Sequence, residues 1–289
     1  MSATTARPVP RVSEGRRAVE AVLARVGFYL VVLVVGAFFA LPMLWLVTSP
    51  FDRTPTLAAG VPAFTFDNFA QVLENPFAMS SLRNSVILAV ATMLLVVTGG
   101  ALCAYALSRV RLPGRDLILY LLLLFSSVVS GTAAMVPLFQ LIFQLGLINT
   151  HTGVVLVLAG GLMPAGIFIL KDFMDATPAS YEESARVMGA SAFQTLRDVV
   201  VPVVRPGLAV IAVWTVVQVW GDFLIPFILL RSPDKAPAAV VMFNFYTEGG
   251  QANLRLLAAY SFLYSVPVVV MYLFVNRRYG FRFYGGIKR

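Results

Sequence analysis

The chain has 289 residues, 59% of them hydrophobic and only 12% charged, with a net charge of +8. Soluble domains carry about 25% charged residues, so this composition excludes an ordinary soluble globular domain. A single cysteine and a single histidine exclude an internal disulfide and leave no ligand set for zinc or a cysteine–histidine site.

Residues 1–25 form a polar, basic tail with Arg7, Arg11, Arg16, Arg17 and Arg25, and Pro8 and Pro10 argue against order in its first dozen residues. Val26 to Val47 then runs for 22 residues without a charge, enough to cross about 30 Å of hydrocarbon. It lacks the short apolar core and small-residue cleavage site of a signal peptide, so span 26–48 reads as a retained anchor. Further apolar segments at 85–108, 116–137, 152–172, 207–230 and 256–276 predict six spans in all, followed by a tail at 277–289. Cys103, inside one of these runs, reads as a small buried hydrophobe. Pro137 to Thr150 is too short to span and reads as an interfacial helix. The outer stretches 49–83 and 231–255 suit either a docking surface for an external protein or plain connectors.

Six spans put both termini on one side. Seventeen of the 22 Lys and Arg residues fall on that side. The positive-inside rule therefore places both termini, and the loop 173–206, in the cytoplasm. The basic excess is a topology signal and calls for no nucleic acid.

Within the loop, Ser180 followed by Glu183 fits a capping box, with Pro178 just upstream. Gly189 suits the left-handed C-terminal cap of that helix. Ser191 with Gln194 fits a second capping box, and Pro202 is expected to stop the helix that follows. Tyr181, Ala185 and Met188 form an apolar stripe at i, i+4 and i+7. Glu182 and Glu183 also suit a first helical turn, where the helix dipole favours acids. So small an amphipathic helix rests on its own protein or on a partner.

In the fifth span Trp214, Gln218 and Asp222 recur every four residues and would share a helix face. An ionised Asp near the middle of a bilayer costs about 2.5–3.5 kcal/mol, so Asp222 should face protein or water. Gly221 and Pro226 are placed to break the helix beside it. An indole with amide and carboxylate groups suits a sugar in a transport pathway; the same groups equally suit interhelical hydrogen bonds.

The run Glu183-Ser184-Ala185, then Gly189, then Pro202 and Pro206 resembles the EAA signature of permease subunits of bacterial ABC importers. Ala104-Tyr105-Ala106 to Pro113-Gly114, Gly146-Leu147-Ile148-Asn149-Thr150, Trp220-Gly221-Asp222-Phe223 and Gly285-Gly286-Ile287-Lys288 resemble the carbohydrate, maltose-type branch. Ser184 and Met188 depart from it, standing where an alanine and an Asp are usual. The resemblance implies an all-α polytopic membrane protein of six helices with a MetI-like permease fold and a cytoplasmic coupling loop. It implies a bacterial inner-membrane location and one half of a heterodimer with a second permease. Two ATPase subunits, an extracytoplasmic solute-binding protein and a sugar or polyol solute complete the expected partners. In the loop it implies that Ala185 and Gly189 allow close approach, that Glu183 anchors or caps, and that Glu182 and Arg186 supply surface charge.

No G-x-x-x-x-G-K-[ST] loop is present, so ATP and its Mg²⁺ are expected on partner subunits, with no cofactor and no catalysis here. Two other classes fit the sequence less well. An ion-driven secondary transporter usually needs several buried acids or a repeat, and only Asp222 is a good intramembrane acid. An intramembrane protease built on Glu182, Glu183 and Arg186 lacks histidines nearby, since His151 is expected on the opposite side.

Overall fold

A computed structural model describes residues 14–58, 60–110, 113–129, 134–247 and 253–279. Among them the regular elements are helical, apart from an isolated antiparallel bridge between Asp52 and Phe64. The long helices are α1 (Glu14–Thr48), α3 (Ala78–Arg109), α6 (His151–Asp175), α9 (Val201–Gly221) and α12 (Leu254–Tyr279). Shorter ones are α2 (Asp67–Glu74), α4 (Arg115–Val129), α5 (Met135–Gln144), α7 (Ser180–Val187), α8 (Ala192–Gln194), α10 (Leu224–Leu229) and α11 (Ala238–Thr247). Five segments among the described residues are long and apolar enough to cross a membrane: Val22–Phe51, Ala78–Arg109, His151–Asp175, Ala192–Gly221 and Leu254–Arg277.

The expected third span, 116–137, falls on the 15 residues of α4, then on residues 130–133, which lie outside the described set, then on α5. The segment expected to lie at the interface is helical over Met135–Gln144. The expectations for the first dozen residues and for the tail motif at 285–288 also fall outside the described residues.

Helix α3 begins at Ala78, earlier than hydropathy suggests, because its first turns carry buried polar residues with distant partners. Ser81 and Tyr260 share a 2.6 Å hydrogen bond. Asn84 donates to the carbonyls of Asp234 and Ala236, and the Ser85 hydroxyl accepts from the Ala238 N–H. These bonds tie the head of α3 to the 234–238 segment and to α12.

Helices α3, α6 and α9 share a core of Val96, Ala104, Leu170, Met174, Val204 and Ile211. Gly207 allows α9 to lie on α6: a Cβ there would sit 2.6 Å from the Phe173 ring. Cys103 is exposed rather than buried, because Gly100, Ala104 and Leu107 take the inward stripe of α3.

Pro202 does not stop the helix that begins after Ser191. A π-helical turn, Thr195–Val200, follows α8 and leads directly into α9, which passes through both Pro202 and Pro206. In a regular α-helix the Pro202 ring would strike the carbonyl four residues earlier; the widened turn lies where that clash would fall.

The helix breaks instead at Asp222, whose backbone is extended (φ −73°, ψ 120°), and resumes as α10. At the other end of α6, Asn149 adopts φ 59°. Its side-chain oxygen accepts from the N–H groups of Arg231 and Ser232, and its amide donates to the Ser232 hydroxyl. One asparagine thus fixes the loop after α10 over the start of α6.

Candidate functional site

Helix α7 hangs on a short link after α6. Its first turn is closed by the Ala179 carbonyl, which accepts from the N–H groups of Glu182 and Glu183. Ser180 is therefore already inside the helix, and the expected Ser180–Glu183 capping box does not form. Its far end matches expectation. Gly189 takes φ +87°, its N–H reaches the Arg186 carbonyl at 2.9 Å, and the Ala190 N–H reaches the Ala185 carbonyl at 3.0 Å. These two bonds define a Schellman cap, which satisfies carbonyls that a helix end leaves open. The Ser191–Gln194 capping box is also formed in both directions.

The two glutamates exchange the roles expected of them. Glu182 is buried, 3% exposed, and its Oε1 lies 2.6 Å from Arg109 Nε. Its Oε2 accepts from Tyr105 Oη at 3.0 Å and lies 3.5 Å from Arg186. Glu183 is exposed and has no ion-pair partner among the described residues. The helix therefore packs its acid inward and turns its apolar stripe outward. Tyr181 is 57% exposed and Met188 84%, with Val187 and Phe193 exposed beside them. A free amphipathic helix would do the reverse, since burying a charge is costly unless it is paired and apolar surface prefers to leave water. Arg109 supplies the pairing.

Local sequence does not mark Arg109 and Tyr105 as site residues. Both lie at the end of α3, within the segment Ala104 to Gly114, but they meet Glu182 across more than seventy residues of chain. The only local signal was an arginine at the C-terminal turn of an apolar helix, which the helix dipole and topology already explain.

The second group is divided. Gln218 and Asp222 line a cavity of about 270 Å³ with Met135, Val157, Leu158, Gly161, Leu162, Leu224 and Ile225. Trp214 does not line it; the indole packs on the α3–α6–α9 core. Asp222 sits past the end of α9, so the three residues do not form one continuous helical face. Its Oδ1 accepts from the Ile225 N–H at 3.0 Å, capping α10 as an N-cap residue does. Among the described residues, no group of three or more His, Cys, Asp or Glu side chains is placed to hold a metal ion.

The fold is shared with chains of two solved ABC transporters. A chain of a bacterial ABC transporter involved in alginate import superposes with a TM-score of 0.77 at 20% identity, covering 94% of this chain and all of the other. A chain of the MetNI methionine ABC transporter superposes with a TM-score of 0.51 at 15% identity, covering 74% of this chain and 97% of the other. The sequence is 31% identical over 251 residues to a trehalose transport system permease protein of Mycobacterium tuberculosis, covering 85% of this chain and 90% of that one. It is 31% identical over 246 residues to a diacetylchitobiose uptake system permease protein of Streptomyces coelicolor, covering 82% and 80%. A maltodextrin transport system permease protein of Bacillus subtilis is 29% identical over 219 residues, covering 75% and 78%. Residues 21–280 match the family described as the binding-protein-dependent transport system inner membrane component, and the chain belongs to that family.

Proposed function

We propose that this chain is the permease subunit of an ATP-driven sugar importer and forms half of its membrane pathway. Sugar or a related polyol is the solute class, because the relatives just described are named for trehalose, diacetylchitobiose and maltodextrin. The single observation that carries the coupling role is the orientation of α7, which buries Glu182 and leaves Tyr181 and Met188 outside. That outward stripe suits a groove on a separate ATPase subunit, with Ala185 and Gly189 permitting close approach and Glu183 and Arg186 as flanking charges.

In this reading α4 belongs to a sixth span, both termini and the loop 173–206 face the cytoplasm, and a second homologous permease completes the pathway. Two ATPase subunits bind ATP and Mg²⁺, and an extracytoplasmic binding protein delivers the solute. Closure of the ATPase pair moves α7, and the motion passes through the π-turn and Pro202 into α9. Gln218 and Asp222 line the side of the pathway that this chain contributes, and Trp214 packs behind them. No ion gradient is needed.

Reconstitution tests this directly. The chain alone in proteoliposomes should neither hydrolyse ATP nor take up sugar under a proton or sodium gradient. With its partner permease, ATPase and loaded binding protein, uptake should follow ATP hydrolysis. Gradient-driven uptake by the chain alone would contradict the reading.

A further inference from the structure

We propose that Arg109 is a positioning residue that makes α7 and the adjoining ends of α3 and α6 move as one body. This rests on the reading of α7 as the ATPase contact and adds how displacement there enters the bundle. Only four residues, Ala176 to Ala179, join α6 to α7, and on that link alone the short helix would swing. Arg109 closes the corner from a third direction. Its Nε holds Glu182 at 2.6 Å, while Nη2 donates to the carbonyls of Met174 at 2.9 Å and Thr177 at 2.8 Å. The Met174 carbonyl also accepts from the Thr177 N–H at 3.1 Å, and the Thr177 carbonyl lies beyond the end of α6, where helical partners run out. Nη1 reaches the Ser108 hydroxyl at 3.3 Å.

Three elements are thus held by one planar group, whose donors keep a fixed angle to one another. Tyr105, one turn earlier on α3, takes the second oxygen of Glu182, so both carboxylate oxygens are held from α3. The Arg109 side chain is 13% exposed and that of Glu182 3%, which shields the pair from screening by salt. A lysine in place of Arg109 keeps the charge but is a single point donor on a flexible stem, and does not hold α6 and α7 at a set angle.

The test uses the assembled importer in a Cys103→Ala background. Spin labels at Ser180→Cys on α7 and Leu102→Cys on α3, both exposed positions, report the corner. A separate Val187→Cys variant is used to cross-link α7 to the ATPase subunit. The clamp requires one narrow Ser180–Leu102 distance distribution that does not change when ATP and loaded binding protein are added. Arg109→Lys should keep assembly and the Val187 cross-link, broaden that distribution, and lower binding-protein-stimulated hydrolysis by about tenfold or more, because a single point donor no longer holds α6 and α7 at one angle. A distance that shifts with ATP in the otherwise unaltered chain, or an Arg109→Lys complex with normal stimulation, would overturn the clamp. Absence of the Val187 cross-link would instead overturn the ATPase contact on which the clamp depends.

Discussion

Trp220 and Tyr264 bind each other in both directions. The indole N–H donates to the Tyr264 carbonyl at 3.2 Å, and the Tyr264 hydroxyl donates to the Trp220 carbonyl at 2.6 Å. The rings lie 5.6 Å apart at 31°. The break at Asp222 removes the helical partner of that carbonyl, and Trp220 is buried, 6% exposed, so the carbonyl needs a partner within the protein. Tyr264 therefore stabilises the discontinuity in α9 while joining it to α12.

Tyr264→Phe keeps the ring and deletes the donor to the Trp220 carbonyl. A buried acceptor left unpaired costs about 1–3 kcal/mol. The midpoint of thermal unfolding in detergent should fall, and an unchanged midpoint would show that the carbonyl finds another donor.

Gly207→Ala should destabilise by about 1–3 kcal/mol through overpacking, because the new methyl would meet the Phe173 ring at 2.6 Å. Phe173→Leu in the same chain removes the rigid ring and should recover part of the loss. Additive losses from the two changes would argue that α6 and α9 do not meet at this point.

Glu182→Ala leaves Arg109 buried without its partner, a change of about 3–5 kcal/mol, so abundance of the chain in the membrane should drop. Glu183→Ala removes only an exposed first-turn charge, worth about 0.3–1 kcal/mol, and abundance should hold. Quantitative blotting of membranes decides, and equal abundance of the two variants would reverse the assignment.

Asp222→Asn preserves an oxygen for the Ile225 N–H, whereas Asp222→Ala removes the cap at a typical 0.5–2 kcal/mol. Stability should therefore fall for the alanine variant and not for asparagine. Uptake assays on the stable Asp222→Asn and Gln218→Ala variants then read the pathway role alone, with a raised KM for sugar as the expected result. Unaltered uptake in both would leave the cavity a purely structural feature.

What was legible in the sequence was what local chemistry decides. Gly189 was legible because a left-handed cap follows from one residue type at one place, and Ser191 with Gln194 because both halves of the box lie within four residues. The break beside Gly221 was legible for the same reason. The burial of Glu182 was not, because it depends on an arginine 73 positions earlier that only the packing of α3 against α6 brings near. Pro202 misled because a π-turn absorbs a proline that local rules treat as a stop. The head of α3 was hidden because its polar residues look like loop until Tyr260 and the 234–238 backbone supply their partners.

The most direct test of α7 as the coupling element is ATP hydrolysis by the reconstituted importer carrying Gly189→Val. Valine at φ +87° is penalised by about 1–2 kcal/mol, and within this chain its Cβ meets nothing within 4 Å. Assembly and membrane insertion should therefore survive, while the altered cap and added bulk disturb a closely seated partner. The expected result is hydrolysis that no longer responds to loaded binding protein, together with loss of uptake. Normal stimulation and normal uptake in this variant would contradict the coupling role of α7.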